Sequence, residues 1–200
     1  MRRASVGATT AALLLTVAVP AGATEDQTQR VELLEIGLAA AFPAAWSVRA
    51  LMQPRESWFD VSATDSTPVY VWTAVFATGG EGRWCGIDRY EDFPWTFGEH
   101  AAFLERWNVS ASLYGRSGGY EAVELASGPA YRIDVNDEIK ERASTLYLLE
   151  QGDDHILLTC ADVLGSTEDW LDIAESITLG PRTAAASDVI AATLDEIHAD

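Results

Sequence analysis

The chain is short of lysine, histidine and cysteine, and each shortage narrows what it can be. Lys140 is the only lysine, and 13 Lys and Arg stand against 31 Asp and Glu, a net charge of −18. A surface this negative repels phosphate backbones and anionic lipid, which argues against nucleic acid and against membrane-surface binding. Cationic partners, or life at high salt, suit it better. Histidine occurs only at His100, His155 and His198. Nothing spaces the three as metal ligands, and no H-E-x-x-H pair occurs, so single surface or satisfied core histidines are the expectation. No cofactor and no metal are implied. Beyond residue 23, no apolar run reaches the ~20 residues of a membrane-spanning helix. There is no internal repeat.

What is present begins at the N-terminus. Met1-Arg2-Arg3 is a short positive region, residues 8–19 with Leu13-Leu14-Leu15 form an apolar stretch, and Pro20 precedes Ala21-Gly22-Ala23. That order reads as a secretory signal peptide over residues 1–23, cleaved before Thr24. The alternative, an N-terminal membrane anchor, has too short an apolar stretch. Arg2-Arg3 suggests twin-arginine export, but Ala4-Ser5-Val6 lacks the bulky apolar residues expected after the pair. No cysteine lies near the cleavage point, so a lipid anchor has no attachment atom. The expectation is a secreted chain of one domain over residues 24–180, with a C-terminal helix or tail over 181–200. Losing two arginines takes the net charge to −20. A single lysine amid abundant Ala, Gly, Val, Thr and Arg reads as the bias of a GC-rich bacterial genome.

Both cysteines, Cys85 and Cys160, lie in the mature part beside apolar strand-like runs. Outside the cytoplasm an even count with none left over points to a disulfide. Two buried thiols are the alternative, and a metal pair is a poor one, because no histidine is spaced to join them.

Along the chain, residues 24–30 read as frayed. Residues 31–48 then read as two short strands and a turn, punctuated by Gly37 and Pro43. Residues 58–62 suggest a short strand and 65–68 a turn. Residues 69–76 (VYVWTAVF) are β-branched and aromatic on both faces, the pattern of a buried central strand. Thr96 and Glu99 have capping-box spacing ahead of a helix to Trp107, with Phe97, Ala101, Leu104 and Trp107 on one face. Residues 115–119 read as a loop. Strands at 121–125, 130–135, 145–149 and 156–160 suggest an antiparallel meander. A second helix opens at Ser166 with Trp170, Ile173, Ala174 and Ile177 as its apolar face. Residues 184–198 suit a short amphipathic helix or a loosely held tail. Strands, helix, strands, helix is an α+β order, with helices packed on an antiparallel sheet.

The segment Glu35-x-Gly37-Leu38-x-x-x-Phe42-Pro43-x-x-Trp46 resembles the opening hairpin of the PsbP-like and LpqN-like families. The run Gly128-Pro129-Ala130-Tyr131-Arg132 is similar to one found in actinobacterial secreted members. So is the closing Asp169-Trp170-x-x-Ile173-Ala174-x-Ser176-Ile177. The resemblance covers most of residues 31–179. It implies an α-β-α sandwich and a non-catalytic binding or accessory domain, and it carries over no catalytic residue. Many members are lipoproteins, and this chain departs from them in lacking a lipidation cysteine.

Gly115-Arg116-Ser117-Gly118-Gly119 fits G-x-S-x-G, and a small secreted serine hydrolase using Ser117 is the enzymatic alternative. A nucleophile elbow needs a buried strand before the serine and a helix after it, whereas a strand pattern follows here, so a Gly-rich loop is the plainer reading. Asp134-x-Asn136-x-Glu138 opens like a calcium loop, but Ile139 and Thr145 stand where such a loop needs Gly and Glu. Residues 88–92 and 152–154 read as solvated acidic turns. Trp84, Tyr90, Phe93 and Trp95 bracket a loop-like segment. They form either an exposed aromatic surface for an apolar or sugar-like ligand or a protein partner, or a cover packed over the disulfide.

Overall fold

A computed structural model describes residues 27–62, 65–111, 115–137, 141–163 and 170–198, without the side chains of 57–62, 65–68, 106–111, 115–118 and 196–198. The expected leader over residues 1–23 lies outside the described residues. So do Ser166 to Asp169, the expected opening of the second helix.

The described residues open with a hairpin of Thr28–Leu33 (β1) and Leu38–Pro43 (β2), turned by one 3₁₀ turn at Leu34–Ile36. Gly37 completes the turn at φ +59°, and a Cβ there would run into the carbonyl oxygens of Gly180 and Pro181. Only glycine fits both the left-handed backbone and that close approach. Next come Ser47–Ser62 (β3), Asp65–Thr78 (β4) and Trp84–Glu91 (β5), then the helix Phe97–Ala111 (α1). Gly115–Leu125 (β6), Gly128–Asp137 (β7), Arg142–Gln151 (β8) and Asp154–Val163 (β9) follow as a meander. Leu171–Ser176 (α2), Thr178–Leu179 (β10) and Ala186–His198 (α3) close the chain.

Seven strands form one antiparallel sheet in the order β3-β4-β5-β9-β8-β7-β6, and β1-β2-β10 form a second, smaller one. Alternation along the central strands divides the large sheet into two faces. Cys85, Ile87, Tyr147, Leu149, Ile156, Leu158 and Cys160 share one core with the small sheet, Trp46, Trp170 and Ala186. Tyr90, Leu146, Leu148 and Leu157 share the other core with Ala101 and Leu104 of α1. The fold is α+β and dominated by sheet. Cys85 lies directly opposite Cys160 across β5 and β9, Cα atoms 4.1 Å apart, and the two are joined in a disulfide.

Several local expectations change. Residues 65–68 do not turn but belong to β4, and residues 58–62 are the end of the long β3 rather than a separate strand. Thr28 to Arg30 are paired in β1 instead of frayed, and residues 34–36 leave the extended form for the 3₁₀ turn. Residues 115–119 are not a loop but the start of β6, with a register shift between Ser117 and Tyr120 that absorbs the glycines as a bulge.

The first helix is capped as its spacing predicts. Thr96 Oγ1 accepts from the Glu99 amide at 3.3 Å, while the Glu99 carboxylate takes the Thr96 amide at 2.9 Å and its hydroxyl at 2.8 Å. These bonds hold the Glu99 carboxyl below its usual range. Thr96→Ala removes the two bonds of the hydroxyl, leaves the amide-to-carboxylate one, and is expected to cost about 1 kcal/mol. A thermal melt should show this as a fall of about 2–4 °C in Tm.

Candidate functional site

Of the acidic run at 88–92, only Asp92 is an exposed bend; the rest is not a solvated turn. Asp88 to Glu91 lie in the central strand β5, where alternate residues face opposite cores, and Arg89 and Glu91 are 2 % and 1 % exposed. Asp154, expected in a second solvated turn, is 5 % exposed and belongs to β9. Its Oδ2 takes two donors from Arg89, Nε at 3.0 Å and Nη2 at 2.6 Å, and Arg89 Nη1 reaches the Ile36 carbonyl. Glu91 Oε1 accepts from Trp72 Nε1 at 2.6 Å and from the Ala186 amide at 2.6 Å, and Oε2 accepts from Ser187 N at 3.4 Å. A carboxylate from β5 therefore caps α3, where its charge complements the helix dipole. Arg182 reaches Glu91 at 3.2 Å, Asp92 at 3.2 Å and Asp154 at 3.4 Å. These charges fasten the C-terminal segment to the sheet.

The other face holds a histidine pair that no sequence spacing announced. His100 of α1 and His155 of β9 are 0 % and 2 % exposed, with Nδ1 atoms 2.9 Å apart. At that distance one ring must donate its Nδ1–H and the other accept. Phe93 stacks on His100 at 4.0 Å, Tyr90 meets it edge-on at 5.2 Å, and Phe97 packs on His155 at 5.6 Å. Burial, and then the His155 ring, pushes His100 down to about 3. Burial pushes His155 down to about 4, against the pull of Asp154. Both rings are neutral at pH 7.

Tyr90, Phe93 and Trp95 are brought together in this cluster, with edge-on contacts of 5.5 and 5.4 Å. Tyr90 and Phe93 are buried, and burial raises the Tyr90 phenol above its usual range. Trp84 stands apart. It alternates with Cys85, so its indole lies on the face opposite the disulfide, 5.8 Å from the Phe76 ring. Ser117 pairs with Val135 in a strand that runs on to Leu125, so no helix follows it as an elbow requires. Asp134 is taken by Arg132 Nε at 3.1 Å and Thr145 Oγ1 at 2.8 Å, and Glu138 lies outside the described residues. Among the described residues, no three His, Cys, Asp or Glu side chains gather as a metal site. Nor is any helix there long and apolar enough to cross a membrane.

A groove of about 540 Å³ runs over the small sheet. Its walls include Leu33, Leu34, Leu38, Leu179 and Pro181, and Leu34 at its lip is 73 % exposed. The polar rim is Arg30, which meets Glu32 at 3.1 Å and donates to Thr178 Oγ1 at 2.8 Å across β2. Sequence reading missed this groove because it forms where residues 30–39 meet 178–183.

No family model matches the chain, and no curated protein matches it. Among solved structures, the chain is similar to the solution structure of cyanobacterial PsbP (CyanoP) from Synechocystis sp. PCC 6803. The TM-score is 0.48 at 13 % identity, covering 88 % of this chain and 98 % of that one.

Proposed function

We propose that this chain is an exported, non-enzymatic binding or accessory domain, built as a PsbP-like α-β-α sandwich, that holds a small apolar ligand in the groove of its small sheet. The groove carries this reading. Its volume of about 540 Å³ falls in the range of ligand pockets, and its apolar walls with a few polar groups at the rim suit a neutral or cationic apolar molecule. The chain's net charge of −18 turns anionic ones away. The conspicuous buried polar groups are engaged in structure: Glu91 and Asp154 hold α3 and Arg89, and the two histidines hold each other.

Nile red, a neutral apolar dye, tests the groove. Its emission is expected to brighten on the native chain and to lose most of that gain in Leu34→Asp, whose side chain is exposed enough for folding to be unaffected. Equal brightening in both proteins at equal Tm would remove the groove as the binding site.

A further inference from the structure

On the α1-facing side of the large sheet, β5 presents Trp84, Gly86 and Asp88 in succession, each two residues apart and so on one face. Gly86 sits opposite Phe76 on β4 and opposite Thr159 on β9. A Cβ at Gly86 would rest 3.7 Å from the Trp84 ring and 4.0 Å from the Phe76 ring. The missing side chain thus leaves a notch between two aromatic rings tilted by 31°. Phe76 is 37 % exposed, Trp84 is half-buried, and Val163 beyond them is 54 % exposed. Asp88 closes the other end of the row. Its carboxylate is 4.0 Å from Arg55 Nη2, and Thr73 lies across from it on β4. Burial raises the Asp88 carboxyl, with Arg55 and the Thr73 hydroxyl opposing.

We propose that this row is a saccharide-binding platform, in which one pyranose ring stacks on Trp84 over the Gly86 notch and the next reaches the Asp88–Arg55 pair. An aromatic face accepts the C–H side of a sugar, and a carboxylate beside a guanidinium offers acceptor and donor to neighbouring hydroxyls. From Trp84 to Asp88 the strand spans about 13 Å, room for two linked rings. The acidic surface selects neutral or basic sugars over anionic ones. This platform lies on the large sheet, whereas the groove lies on the small one, so each can fail without the other.

The test is calorimetric titration of the whole chain with cellobiose, chitobiose and maltose as probes. At least one should saturate. Trp84→Ala should weaken it about tenfold, the share expected of a lost ring stack. Trp84→Phe should keep most of the affinity, and Asp88→Asn should weaken it several-fold. Leu34→Asp should leave it unchanged. Saturation by none of the three sugars overturns the proposal. So does undiminished binding by a folded Trp84→Ala, or loss of sugar binding in Leu34→Asp, which would place the sugar in the groove.

Discussion

Glu91→Ala is expected to remove about 3–5 kcal/mol of stability, because it strips a buried charge cluster of one partner and leaves the others buried. The Glu91 carboxylate is the acceptor for Trp72 Nε1 and for the Ala186 and Ser187 amides, and it lies 3.2 Å from Arg182. Alanine leaves those donors facing a void without their acceptor. Urea unfolding at pH 7.5 reads the loss directly. Hydrogen exchange gives it a location: amides of α3 should lose protection ahead of those in β8 and β9. Glu91→Gln keeps an acceptor oxygen but not the charge, so its loss should be smaller. Equal stability of Glu91→Ala and the parent would mean that the cluster contributes nothing net to the fold.

Acid should destabilise the chain as soon as pH falls below about 6.5. An unfolded histidine takes its proton near pH 6.5, while the folded chain holds His100 at about 3 and His155 at about 4. Between those values and 6.5 the unfolded chain binds protons that the folded chain refuses. Stability is therefore full above pH 6.5 and falls as pH drops. At pH 5 the loss is about 2 kcal/mol for each ring and about 4 for the pair. Relief of repulsion among the carboxylates pulls the other way as pH falls, which separates the two effects. In the double variant His100→Asn, His155→Asn the urea midpoint should change little between pH 7.5 and 5, or even rise. The same midpoint change over that range in the parent and in the double variant would show that the pair contributes nothing to the pH dependence.

What could be read in the sequence was local. Thr96 and Glu99 announced a cap because both partners lie within one turn, and the meander showed itself through turn residues between β-branched runs. Cys85 and Cys160 were pairable by count alone. The buried charges were not legible, since Arg89 and Glu91 look like any acidic stretch until Asp154 and Arg182 are brought to them from far along the chain. The same holds for His100 and His155, 55 residues apart with no shared spacing. Proximity in sequence groups Trp84 with Tyr90, Phe93 and Trp95. Strand geometry instead carries the later three under α1 and leaves Trp84 with Phe76 beyond it. Glycines at 115–119 suggested a loop because a bulge needs glycine as much as a turn does.

The two ends of the fold are sewn to each other. Gly180 N donates to Gly37 O at 2.7 Å, Thr183 N and Ala184 N donate to Glu35 O at 2.7 and 3.0 Å, and Leu179 pairs with Leu38. A chain delivered N-terminus first can assemble its large sheet as soon as β9 has emerged. It cannot finish the small sheet until residue 179 arrives, nor satisfy Glu91 until residue 187 does. Residues 179–187 are the clasp. A chain stalled before residue 179 would hold Cys85 opposite Cys160 across β5 and β9 but leave the seam of the small sheet open.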